Sequence, residues 1–289
     1  MTARCLSRGV GTMAAILFSC VAVAEEPVWM VEGLDGPESA LYDSERNVIY
    51  VSNVNGPATE KNGQGYIAKL SPEGGLIEKV WLGGLDAPKG LALVGGTLYV
   101  SDIDRLVAID VDAGMVSAIY PAAGAKFLND TAAAPDGRVF VSDMFTDTIY
   151  VFAGNKLEIF VQDEALTAPN GLLVEGDKLI VASWGKIKEG FETETLGHLI
   201  TIDLSSKAIS TLGDGTPVGN LDGIESDGSG AYLVTDWMAG GFYRIESSGK
   251  ADLLLDLNQG SADLGIIPEM KLVIIPMMLD GHVVAYPMK

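Results

Sequence analysis

Apolar and polar positions alternate along this chain in short runs, and one run recurs. Tyr50-Val51-Ser52-Asn53, Tyr99-Val100-Ser101-Asp102 and Phe140-Val141-Ser142-Asp143 each close an apolar strand on a small polar pair. Weaker copies follow at Ile180-Val181-Ala182-Ser183, Leu233-Val234-Thr235-Asp236 and Val273-Ile274-Ile275-Pro276. Counted from Ser52, the anchor position steps by 49, 41, 40, 53 and 40 residues, which is the length of a four-stranded blade. A turn rich in Gly, Asp or Pro precedes each anchor, as in Pro135-Asp136-Gly137, and another alternating strand usually follows it. Beyond residue 24 no helical period is sustained. Six copies predict an all-β fold, a six-bladed β-propeller. The ring is expected to close through an N-terminal strand, Trp29-Met30-Val31, laid beside Val283-Val284-Ala285-Tyr286 in the last blade, which removes exposed edges. The 53-residue step contains Lys186-Ile187-Lys188-Glu189-Gly190, read as a surface loop of the fourth blade.

The first 24 residues depart from this pattern. Arg4 and Arg8 precede an apolar stretch, Met13 to Val23, and Ala22-Val23-Ala24 is an A-x-A cleavage site. Residues 1–24 therefore read as an export signal, and 25–289 as the propeller. The apolar stretch is too short for a spanning helix, so no stable membrane insertion is expected. Export to the periplasm is the expected destination; a lipid anchor on Cys20, after Leu17-Phe18-Ser19, is the second reading. Cys5 and Cys20, the chain's two cysteines, both fall in this segment. The propeller thus has no disulfide, thiol nucleophile or thiolate metal site. Losing Arg4 and Arg8 takes the net charge from −20 to −22, a field that repels nucleic acid. A small molecule is the expected partner, and the sequence leaves the oligomeric state open.

A second register runs 12 to 14 residues upstream of the anchors. It reads Pro37-Glu38-Ser39, Pro88-Lys89-Gly90, Leu128-Asn129-Asp130, Pro169-Asn170-Gly171, Leu221-Asp222-Gly223 and Ala262-Asp263-Leu264. In a propeller, equivalent positions entering the innermost strands converge on the axis. Glu38, Asn129, Asn170, Asp222 and Asp263 would then bring oxygen atoms together, with Lys89 as the one ammonium. Three carboxylates in one cavity repel unless a cation sits among them. Carboxylate and amide oxygens suit Ca²⁺, with another divalent cation as the alternative; Zn²⁺ would want His or Cys. The competing reading is turn chemistry, which Asn170-Gly171 and Asp222-Gly223 also satisfy.

These segments resemble the gluconolactonase/regucalcin (senescence marker protein) family, a propeller group related to paraoxonases. Glu38 matches its first-blade metal-binding Glu. Asn129-Asp130 followed by Pro135-Asp136-Gly137-Arg138 is similar to its Asn-Asp-Gly…Asp-Pro-x-Gly-Arg segment, Asn170-Gly171-Leu172 to Asn-Gly-Leu, and Asp222-Gly223 to Asp-Gly. The resemblance implies that Glu38, Asn170 and Asp222 ligate calcium, that Asn129 holds the metal's water or the substrate, and that Asp222 doubles as general base. Where sugar-lactone members of the family carry Arg, this chain has Phe127, which points to a more apolar acyl portion.

The resemblance implies metal-assisted hydrolysis of small lactones or related esters, the metal acting as a Lewis acid and Asp222 activating water. Lys89 and Asp263 join Asn129 and Phe127 as candidate substrate contacts, with Lys89 expected to neutralise Asp263 or hold an anionic substrate group. The alternative from another class is a non-catalytic periplasmic propeller that binds a ligand or protein around a structural calcium.

Overall fold

The computed structural model describes residues 25–288; the expected export signal, residues 1–24, lies outside them. Six four-stranded antiparallel sheets follow one another along the chain. The first blade runs through Pro37–Asp43, Val48–Asn53, Gly65–Leu70 and Leu76–Leu85. The second to fifth repeat that order from Pro88, Leu128, Pro169 and Leu221. The fold is the six-bladed β-propeller expected from the repeat. Among the described residues no helix is long and apolar enough to cross a membrane.

Burial follows position in the blade. Second strands such as Ala231–Asp236 and Leu272–Met277 are buried at every residue, because both of their faces meet a neighbouring blade. Their Val, Ile, Leu and Tyr side chains fit such a two-sided surface. Outermost strands such as Leu76–Leu85 are largely exposed. The core is therefore a ring of layers between blades, and the layer joining first and last blades decides closure. There Val31 packs with Ile49, Val51, Ile274, Val283 and Ala285. Trp29–Glu32 pairs antiparallel with His282–Pro287, in the register Trp29↔Ala285 through Glu32↔His282, and Trp29 Nε1 donates to Pro72 O at 3.0 Å. The closing strand is where the pattern put it.

What positions the site is a β-bulge at the start of the inner strands. In the first blade the register slips between Pro37 and Ala40, so Glu38 and Ser39 together oppose Ser52. The same slip sets Lys89-Gly90, Asn129-Asp130, Asn170-Gly171 and Asp222-Gly223 against the anchors of blades two to five. A bulge bends the strand and re-aims a side chain; here it turns the first bulge residue toward the mouth of the channel. The anchor hydroxyl stabilises it: Ser52 Oγ accepts from Ser39 N at 3.0 Å, Ser142 Oγ from Asp130 N at 2.9 Å, and Thr235 Oγ1 from Gly223 N at 2.9 Å. Asn170-Gly171 and Asp222-Gly223 thus lie in strands, which disposes of the competing turn reading. Their glycines answer crowding at the axis: a Cβ on Gly171 would fall 2.0 Å from Asp222 O, and one on Gly223 2.4 Å from Leu264 N.

Deleting residues 25–33 should remove the closing strand and uncover an edge of the last blade. Losing the burial of Val31 alone corresponds to about 2 kcal/mol, or roughly 4–8 °C of melting temperature at this chain size. Differential scanning calorimetry checks it, and an unchanged melting temperature would show that the ring closes without this strand.

Candidate functional site at the channel mouth

Five of the six residues in the upstream register share one cavity of about 220 Å³: Glu38, Lys89, Asn129, Asn170 and Asp222. They form its floor. Phe127, Met144, Trp184, Phe191 and Trp237 make most of the wall. The sixth, Asp263, is not with them. In the last blade the inner strand begins only at Gly265, and Asp263 instead forms a parallel bridge with Ser39, its N–H donating to Glu38 O at 2.8 Å. That sideways pairing turns its carboxylate to Ser39 Oγ, 2.5 Å away. Asp263 lines the cavity at the opposite end of the channel, with Asp130 and Glu225. It is thus placed away from Phe127, Asn129 and Lys89, contrary to its expected role as a substrate contact beside them.

The floor is buried and poorly compensated. Glu38 Oε2 has no hydrogen-bond partner. Burial, then the Asp222 charge, push the Glu38 carboxyl well above the usual carboxylate range, with Lys89 opposing. Asp222 is raised in the same way by burial and by Asp263, although Asn170 Nδ2 donates to its Oδ2 at 3.2 Å. Asn129 makes only a long contact from Nδ2 to Met144 Sδ, 3.9 Å. Its main-chain carbonyl accepts from Ser101 Oγ.

Lys89 is turned inward, with 2% of its surface exposed. Its Nζ donates to Ala87 O at 2.9 Å and Ala58 O at 3.2 Å and sits 4.4 Å from the Phe127 ring centroid. Burial pulls the ammonium down to about 8, while Glu38 and Asp102 hold it up. Its charge therefore acts on Glu38 and Asp102, not on Asp263 as expected.

Among the described residues no three His, Cys, Asp or Glu side chains converge in a metal-holding cluster. The donor set at this mouth is two carboxylates and two amides, with Glu38 Oε2 unsatisfied. Hard oxygen donors of this mixed kind fit a calcium-like cation that keeps several waters. Neither His198 nor His282 lines the cavity.

The wall was less legible than the floor. Asp143, the polar end of the third anchor, accepts from Lys126 N, Phe127 N and Phe145 N at 2.7, 3.2 and 3.1 Å. It thereby fixes the backbones of two rings stacked 4.6 Å apart, Phe127 and Phe145. Phe191 comes from an insertion that carries no repeat register, whereas Met144, Trp184 and Trp237 each directly follow the polar end of their blade's anchor, Asp143, Ser183 and Asp236. The expected surface loop of the fourth blade is a two-stranded hairpin, Gly185–Glu189 with Glu192–Leu196, which brings Phe191 to the cavity.

No protein-family model and no curated protein sequence matches the chain. Solved structures do. A gluconolactonase from Xanthomonas campestris aligns with a TM-score of 0.69 at 14% identity, covering 90% of this chain and 88% of that one. A catalytically inactive virginiamycin B lyase from Staphylococcus aureus, with quinupristin, aligns at 0.60 and 14%, covering 89% and 98%. A chain of a nidogen/laminin complex aligns at 0.60 and 19%, covering 76% and 80%. At these identities the likeness is one of fold, and the fold serves hydrolase, lyase and binding proteins.

Buried Asp263 and half-buried Glu225 also make stability depend on pH. Asp263 is raised to about 7 and Glu225 to about 8, both chiefly by burial. Groups raised on folding contribute stability that is complete below their unfolded values, near 4, and is lost as pH rises through the folded ones. In chelator the melting temperature should fall between pH 5 and pH 8, and Glu225→Gln should flatten that fall. A melting temperature that climbs with pH over this range would contradict the assignment.

Proposed function

We propose that the protein is a divalent-cation-dependent hydrolase of small lactones or related esters, with calcium as its cation. The observation that carries this reading is Glu38 Oε2, a buried oxygen without a partner, on one floor with Asp222, Asn170 and Asn129 beneath an apolar wall. Leaving such an atom unpaired is costly, and a cation shared with Asp222 would offset that cost. The gluconolactonase neighbour supports the reaction class.

Glu38, Asn170 and Asp222 would hold the cation. A cation bound there supplies a Lewis acid for the ester carbonyl. Asn129, with no strong side-chain hydrogen bond of its own, orients the substrate carbonyl or the attacking water. Asp222 takes the proton from that water; the burial that raises its proton affinity makes it a better base near neutral pH than an ordinary aspartate. Phe127 and the other rings shed water from the acyl portion. Few groups on the wall can answer a sugar's hydroxyls, which favours an apolar acyl chain over a sugar lactone.

Activity toward a lactone panel should vanish in chelator and return with Ca²⁺. Asp222→Asn should keep calcium, because an amide oxygen still ligates, yet lose about 10²–10⁴-fold in kcat, since an amide takes no proton at neutral pH. Near-normal turnover by a calcium-loaded Asp222→Asn protein would remove Asp222 as the base. A calcium-binding protein inert to every lactone and ester would favour the ligand-binding propeller instead.

Lys89 adds positive charge beside Glu38, so it should weaken cation binding. Lys89→Met should bind calcium severalfold more tightly by titration calorimetry, with Lys89→Arg close to wild type. Equal affinities in all three would separate Lys89 from the cation site.

A further inference from the structure

We propose that the hairpin of the fourth blade makes this pocket selective for a planar aromatic ring in the substrate, with Phe191 as the specificity-determining residue. The proposal deepens the hydrolase reading, on which it rests for the reacting carbonyl. The ring site itself is carried by separate observations.

The hairpin is an addition to the blade. Its strands, Gly185–Glu189 and Glu192–Leu196, form their own two-stranded sheet, outside the ladder that joins the fourth blade's other strands. It is held at its root, where Gly185 N donates to Thr167 O at 3.1 Å and Gly197 N to Gly219 O at 2.8 Å. The crowding there is severe: a Cβ on Gly185 would fall 2.2 Å from Thr195 O. A tight root and a projecting tip give an arm that reaches over the channel mouth.

Phe191 stands at that tip beside Gly190 and is 39% exposed, unlike a core phenylalanine. Its ring centroid lies 5.7 Å from Phe127, 5.5 Å from Phe145 and 6.0 Å from Trp184. Its carbonyl accepts from Trp184 Nε1 at 3.0 Å, which ties the tip to the wall and occupies that indole's only donor. Beyond the hairpin lies a separate, larger cavity lined by Lys186–Gly190, Phe145 and Glu164. The hairpin is thus a partition, and Phe191 supplies its face toward the floor of Glu38, Asn170 and Asp222. Walls of this kind offer edge and face contacts to another ring, in a space suited to a small bicyclic molecule.

Tryptophan fluorescence from Trp184 and Trp237 can report binding without any reaction. The probes are chroman, a benzene ring fused to a six-membered cyclic ether, and tetrahydropyran, the same ether without the benzene ring. Wild type should bind chroman at least about tenfold more tightly than tetrahydropyran. Phe191→Leu, which keeps apolar bulk but not the ring, should lose about tenfold for chroman and little for tetrahydropyran, a change of about 1.4 kcal/mol. Phe191→Tyr should behave like wild type. Equal chroman affinity in wild type and Phe191→Leu would overturn the proposal, as would a wild type that does not prefer chroman, a result that needs no variant to fold. A protein with the expected chroman pattern that hydrolyses no lactone would keep the aromatic site and remove the hydrolase reading. Lactone hydrolysis without the chroman pattern would do the reverse.

Discussion

The inner strands of the first five blades each begin by setting two residues against one on the neighbouring strand, and the site depends on that slip. Without the bulge, alternate side chains would point up and down the blade faces, and Glu38, Lys89, Asn129, Asn170 and Asp222 would have no common direction. The bulge is stabilised locally, by hydroxyls at the anchors that accept the second bulge residue's N–H in the first, third and fifth blades. It is also constrained globally. Neighbouring inner strands come so close at Gly171 and Gly223 that a side chain there would meet main chain. A repeat built to close a ring of blades therefore also delivers polar side chains to the axis.

That delivery creates an electrostatic problem which the fold only partly answers. Glu38 and Asp222 are buried at one mouth, Asp130 and Asp263 toward the other, and each is pushed toward its protonated form. At the far end the answer is hydrogen bonding: Asp130 accepts from Thr131 N and Leu172 N, both at 2.6 Å, and Asp263 from Ser39 Oγ. At the near end one Glu38 oxygen goes without, and Lys89 gives its hydrogen bonds to main-chain carbonyls rather than to the carboxylates. An unsatisfied, desolvated carboxylate facing a cavity is what ligand binding leaves room for.

The floor was legible in the sequence because the repeat repeats it. Six anchors counted the blades, and a constant offset from them located Glu38, Lys89, Asn129, Asn170 and Asp222. The same offset misplaced Asp263, because the last blade replaces the bulge with a sideways bridge to Ser39 that no spacing reveals. Asn170-Gly171 and Asp222-Gly223 also fitted the competing turn reading, because spacing does not show that their glycines answer contacts with the next blade rather than local backbone need. The wall was hidden. Trp184 and Trp237 keep a repeat position, directly after the anchor, but Val54, Ile103 and Met144 occupy it in other blades, so it carries no chemical signature. Phe191 sits outside the repeat, and the extra length of the fourth blade marked an insertion without saying which way it folds. Phe127 was visible only as a departure at a position next to the register.

The central claim is that the near mouth of the channel is built around a cation held by Glu38. The most direct measurement is the calcium-dependent shift of melting temperature in wild type and in Glu38→Gln, each compared with its own value in chelator. A metal bound only to the native state stabilises it by mass action. Wild type should therefore gain stability with calcium, whereas Glu38→Gln should gain little and, in chelator, melt above wild type because it no longer buries an unpaired carboxyl. An equal calcium shift in both proteins, or none in wild type, would contradict the account.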